Sequence, residues 1–127
     1  MLTRRRVIAA VVGLPALWLG GVLALYATAY LRGGMMARVD WSRGHREIKV
    51  YGMAPASRAD VAVLLQSRYG VGMNTVGGCV VSQTFIHYVR GYNDVMFERL
   101  ERHYGKDILS EVSQEIELKR QGSGGGS

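Results

Sequence analysis

The chain carries one strong nucleophile, Cys79. It sits in an apolar, β-branched run at residues 74–81 (NTVGGCVV), just ahead of a predicted helix whose dipole would lower a thiol's pKa. His87, Asn93 and Asp94 follow on that helix, so a cysteine–histidine–carboxamide arrangement for thiol chemistry can be drawn. The helical repeat works against it. His87 stands more than a turn beyond the helix start and on the solvent side, so its ring would have to reach back along the axis to the sulfur. A small thiol in an apolar run is read as core filler, and no catalytic residue is assigned.

Other chemistries find less support. His45, His87 and His103 are widely spaced, with no HxxxH or HxH pair, and His87 and Asp94 are two turns apart on one helix, too far to share a metal without a third element. The expectation is no metal and no cofactor. Gly70-Val71-Gly72 and Gly77-Gly78 match neither dinucleotide nor P-loop spacing and are assigned to turns. The VGGC at residues 76–79 lies too far from the apolar amino terminus for lipoprotein processing. The least ordinary stretch is residues 90–94 (RGYND). Arg90, Asn93 and Phe97 share a helix edge beside Tyr92, a mixture of guanidinium, amide and aromatic groups suited to a protein interface. Arg90, Tyr92, Asn93 and Phe97 are the expected partner-binding residues.

These residues must be positioned relative to residues 7–30 (VIAAVVGLPALWLGGVLALYATAY), which carry no charge. A helix of that length covers roughly 36 Å at about 1.5 Å per residue, enough to cross a hydrocarbon core about 30 Å thick. An uncleaved signal-anchor is expected, although Ala27-Thr28-Ala29 also resembles a cleavage site. Small residues recur along it at Ala9, Gly13, Ala16, Gly20 and Ala24, and Gly13, Ala16, Gly20 and Ala24 are expected to form a packing face for another helix, with a homo-oligomer as one outcome. Tyr26 and Tyr30 fall where an outer aromatic belt would lie.

Charge is distributed around this run. The net charge is +6, with +3 at Arg4, Arg5 and Arg6, +4 over residues 32–58 and −1 over residues 59–121. Basic residues beside an apolar span fit anionic lipid head groups, near Arg4, Arg5, Arg6, Arg32 and Arg38, rather than nucleic acid. The amino-terminal arginines favour a cytoplasmic amino terminus and an exported, extracytoplasmic carboxy-terminal part. One cysteine precludes an internal disulfide, and thirteen arginines against three lysines fit a GC-rich bacterial or phage source.

The expected fold is α+β, an amino-terminal transmembrane helix followed by a small domain of order β-α-β-α-α. Residues 1–6 form a basic tail and 7–30 the span. Residues 31–46, with two glycines and no sustained period, read as a connector on which Trp41 either reaches the head groups or belongs to the domain's core. Residues 47–121 form the domain, and 122–127 (GSGGGS) a flexible linker. Within the domain, alternation at residues 47–53 predicts a strand. Ser57 is the expected cap of a helix to Tyr69. Residues 74–81 predict a second strand, residues 83–104 the long helix with its cap at Ser82, and Asp107 caps a last helix to about residue 119. Gly91 inside the long helix costs about 1 kcal/mol relative to alanine, a cost that close packing against the backbone would offset. The functional expectation is a single-pass, non-enzymatic accessory protein of the bacterial inner membrane, its domain in the periplasm, that binds another membrane or periplasmic protein. The alternatives are a phage or plasmid membrane protein that blocks entry or modulates lysis, and a thiol-dependent enzyme using Cys79.

Overall fold

The computed structural model describes residues 4–52, 56–78 and 80–124. The elements are α1 (Arg4–Ser42), β1 (Glu47–Tyr51), α2 (Ala56–Tyr69), β2 (Gly72–Gly77), α3 (Gln83–Tyr104) and α4 (Ile108–Ser123). Among the described residues the fold is mixed: four helices, the first long and apolar, and a two-stranded parallel sheet whose strands are joined through α2. Met53 falls outside the described residues. β2 begins two residues before the expected strand and ends at Gly77, α2 starts before Ser57 so that this serine lies inside the helix, and α4 runs on through Gly122 and Ser123.

The largest departure concerns residues 31–42. Expected as an irregular connector, they continue α1 without a break, and Pro15 does not end the helix either. Termination comes at Gly44, with φ +77°, where the His45 N–H donates to the Asp40 carbonyl at 2.8 Å and the Gly44 N–H to the Trp41 carbonyl at 3.0 Å. This is a Schellman stop, in which a glycine takes the left-handed conformation at little steric cost.

Two glycines inside a helix lower its intrinsic propensity by about 1 kcal/mol each relative to alanine. The offset is tertiary. Along one side of α1, Val22 and Tyr26 are half-buried and Ala29, Gly33 and Ala37 are buried, at steps of three and four residues. This seam packs against α3. A Cβ added at Gly33 would lie 2.0 Å from the Tyr88 carbonyl oxygen, and one at Gly91 would lie 2.1 Å from the Tyr30 carbonyl oxygen. The two backbones therefore touch, which accounts for Gly91 in mid-helix. Contacts advance together along both helices, from Tyr26 on His87 to Trp41 on His103, so α3 runs parallel to α1. Trp41 is half-buried against the core, with the Arg46 guanidinium 4.8 Å over its ring, rather than free to enter a lipid surface.

The core gathers Ala37 of α1, Ile48, Val61, Leu65, Val71, Tyr92, Met96, Leu100, Ile108, Val112 and Ile116. On α3, Val89, Tyr92, Met96 and Leu100 are buried, while Phe85, Tyr88 and Val95 are half-buried. Ser82 Oγ accepts from the Phe85 N–H, and Asp107 accepts from the Leu109 and Ser110 N–H groups, so both expected caps are formed. α4 is fastened to α2 from outside: Arg68 donates to Glu115 at 2.8 Å and Tyr69 to Glu111 at 2.7 Å, while Lys119, on α4 itself, also donates to Glu115 at 2.8 Å.

Adding a methyl group at either backbone contact forces the helices apart, because the opposing atoms are main chain and cannot rotate away. Gly33→Ala and Gly91→Ala are expected to destabilise the folded protein by about 1–3 kcal/mol, whereas Gly13→Ala and Gly20→Ala, which meet open space, do not destabilise it. Thermal unfolding in detergent, followed by near-ultraviolet circular dichroism, checks this.

Hydrogen bonds from Arg68 and then Lys119 hold the Glu115 carboxyl down from 4.5 to about 2. A carboxyl whose folded pKa is depressed stabilises the fold above its unfolded value, and that contribution is lost as pH falls through the folded value. The melting-temperature gap between the native protein and Glu115→Gln is therefore expected to be full above pH 4.5 and to close as pH approaches about 2.

Candidate functional site

The expected interface residues separate once the helix edge is placed in the fold. Tyr92 is fully buried, and its hydroxyl donates to Asp40 Oδ2 at 2.8 Å, joining α3 to α1. Burial first, and then that carboxylate, push the phenol well above its ordinary pKa, so it remains a neutral donor. The Lys49 ammonium lies 4.3 Å over its ring. Tyr92 is thus a structural residue with no surface for a partner.

Asn93 is also committed internally. Its Nδ2 donates to the Lys49 carbonyl at 2.7 Å, and its Oδ1 accepts from the Lys49 N–H at 2.9 Å. In a parallel ladder one residue's N–H and C=O point to the same side. On β1 those of Lys49 face away from β2, and the amide satisfies both, standing in for the peptide of a missing third strand. Residues 31–46 supply no strand to that edge. An asparagine on α3 closes that edge instead.

Arg90 and Phe97 remain. Arg90 is exposed on α3 beside Asp94, whose Oδ2 accepts from the Tyr30 hydroxyl at 2.8 Å. Phe97 is half-buried and lines a crevice of about 210 Å³ with Ile48, Leu100, Lys106, Ile108 and Leu109, between β1, α3 and the start of α4. A second cavity, of about 360 Å³, lies between α2, α4 and the sheet, lined by Val50, Val61, Met73 and Ile116, with Arg58 and Glu117 as its charged members. Arg58 Nη1 is buried there without a hydrogen-bond partner among the described residues.

The anticipated packing face of α1 is left uncovered by the described residues. Gly13 and Gly20 face open space among the described residues, and Ala16 and Ala24 are exposed. The stripe that does pack lies partly in the expected span, at Val22, Tyr26 and Ala29, and partly in the expected connector, at Gly33 and Ala37. Its signal was present in the spacing of Ala29, Gly33 and Ala37, four residues apart, but two adjacent glycines and mixed charge obscured it. From Ala24 to Gly33 is nine residues, about two and a half turns, so the uncovered stripe lies on the side of α1 opposite the seam with α3.

Cys79 lies outside the described residues. His87 is edge-on to Tyr26 at 5.1 Å between ring centres, and among the described residues no group of three or more His, Cys, Asp or Glu could hold a metal ion. Of the basic residues expected near head groups, Arg6, Arg32 and Arg38 are exposed, with Arg32 Nε donating to the Thr28 carbonyl at 3.3 Å; the side chains of Arg4 and Arg5 are outside the description.

Asn93→Leu leaves the Lys49 N–H and C=O unpaired in a partly buried position and is expected to cost about 1–3 kcal/mol. Arg90→Glu alters an exposed position and is expected to stay within about 0.5 kcal/mol of the native protein. Chemical denaturation of the two variants in the same detergent separates the residue that builds the fold from the residue free to meet a partner.

Comparison with known proteins finds no matching family model, no matching curated protein and no matching solved structure.

Proposed function

We propose that this protein is a single-pass, membrane-anchored, non-enzymatic accessory protein of the bacterial envelope, whose span and small exported domain bind another membrane or periplasmic protein. The observation that carries the reading is α1 itself. One helix among the described residues is long and apolar enough to cross a membrane, and it lies near the amino terminus. Its first part leaves Val11, Leu17 and Trp18 bare, at 66, 76 and 73% exposure, while its last part is built into the domain. Large apolar side chains in that number are costly in water and favourable in lipid.

In this reading, helix register rather than a flexible linker fixes the domain's rotation about the span. A partner helix docking on Gly13, Ala16, Gly20 and Ala24 would approach the side away from α3, and Arg90 and Phe97 are the domain residues left for a soluble contact. Arg4, Arg5 and Arg6 lie at the cytoplasmic head groups, and Arg32 and Arg38 at the outer ones.

Crosslinking in native membranes followed by mass spectrometry tests the reading. The expected result is a stoichiometric partner joined through the span or through the Arg90 and Phe97 side of the domain, lost in Gly20→Leu or Arg90→Glu while insertion is unchanged. Release of the full-length chain by carbonate washing, or a carboxy-terminal reporter active only in the cytosol, would overturn it.

A further inference from the structure

A second uncharged stretch lies outside the apolar run of α1. Between Arg68 and Arg90 the chain has no Asp, Glu, Lys or Arg for twenty-one residues, Tyr69 to Val89. Its second half comprises the β2–α3 loop and the first two turns of α3. In that half Val80 is 94% exposed, Val81, Thr84, Phe85, Ile86 and Tyr88 are half-buried, and Ser82 and Gln83 are exposed. A nearly bare valine in a charge-free surface on an otherwise charged domain calls for a physical account.

The parallel packing of α1 and α3 supplies one. Tyr26 and His87 are in contact and therefore at the same height along α1. A hydrocarbon core about 30 Å thick is filled by about twenty helical residues; counted from Val7, these end at Tyr26. Because α3 runs in the same direction as α1, its residues before His87 lie nearer the bilayer centre, so Ser82 falls about 7 Å deeper than His87 at about 1.5 Å per residue. That is the level of Val22, where the seam on α1 begins: Val22 is half-buried, while Leu23 and Leu25 beside it are 60 and 59% exposed. Arg32, Ser82, Thr84, Phe85 and Tyr88 line one shallow cleft, so a guanidinium lies beside apolar and small polar groups, an arrangement that could meet a lipid phosphate.

We propose that the start of α3 and residues 80–82 before it form a second membrane contact, with Val80 and Val81 in the outer acyl region, Phe85 near its boundary, Tyr88 at the head groups, and Arg32 and Arg90 facing lipid phosphates. The occupant is the outer leaflet of the same bilayer that holds α1. The domain is seated on the membrane rather than suspended above it. Uncharged side chains suit this depth, since a lysine or aspartate there would be desolvated without a partner. The aromatic residues match the preference of tyrosine for the interface. The inference rests on α1 spanning the bilayer, and its test separates the two.

Nitroxide labels are placed on the full chain at Val80→Cys, at Leu17→Cys in the apolar run and at Ser113→Cys on the exposed side of α4, each with Cys79→Ser, in phosphatidylethanolamine–phosphatidylglycerol vesicles. Power saturation then compares collisions with oxygen, which partitions into lipid, and with a water-soluble nickel chelate. The expected oxygen-to-nickel ratio at position 80 is several-fold above that at 113 and below that at 17. A ratio at 80 equal to that at 113, with position 17 still shielded, overturns the second contact and leaves the anchor standing. Equality of 17 and 113 removes the anchor and the contact with it. Dipolar broadening at 80 shows that a second copy, not lipid, covers the loop and also overturns the proposal.

Discussion

At the centre of the structure two helices approach until their main chains touch. Gly33 of α1 rests on the backbone at Tyr88 and Tyr92, and Gly91 of α3 rests on the backbone at Tyr30. Dispersion falls off within fractions of an ångström, so this closeness lets the flanking side chains on both helices engage. Tyr30 reaches Asp94, Tyr92 reaches Asp40 and Trp41 meets His103, at successive heights along the seam. The glycines cost helix propensity, and the seam they permit orders twelve residues that would otherwise be a connector. A stiff rod replaces a tether.

The rest of the domain follows from what that rod presents. Two parallel strands alone are a marginal sheet. Here one face is covered by core residues from α2, α3 and α4, and the outer edge of β1 is closed by the Asn93 amide. The edge amide and the buried Tyr92 are neighbours on α3, so the residue that secures the sheet and the residue that secures α1 are fixed by one helix. This explains why a sequence stretch with the composition of an interface, arginine, tyrosine and asparagine together, serves chiefly as an internal junction. The ion pairs from Arg68 and Lys119 to Glu115 lie on the surface and contribute less than the apolar contacts beneath them.

Continuity between the apolar run and the domain has a functional consequence. A domain on a flexible linker samples many heights and rotations, whereas one built on the same helix holds a single height and a single face toward its surroundings. Small residues occur on both sides of α1, but one stripe is consumed within the chain and the other is left open. The open one belongs to the part of the helix whose large side chains are bare.

Sequence alone determined whatever depends on local pattern. The apolar run, the period of α3 with its Ser82 cap and Gly105 stop, the Asp107 cap and the strand at Ile48 and Val50 are written in neighbouring residues, because capping, periodicity and left-handed glycine act within a turn or two. Even the demand for a close neighbour at Gly91 could be read, since a glycine inside a helix signals its own cost. Which backbone answered that demand could not. The helical state of residues 31–42, the burial of Trp41, the use of Asn93 as a strand surrogate and the absorption of Tyr92 into the core all depend on partners forty to sixty positions away. No local window weighs a glycine pair against a helix that does not yet exist, so those outcomes were decided only when α1 and α3 met.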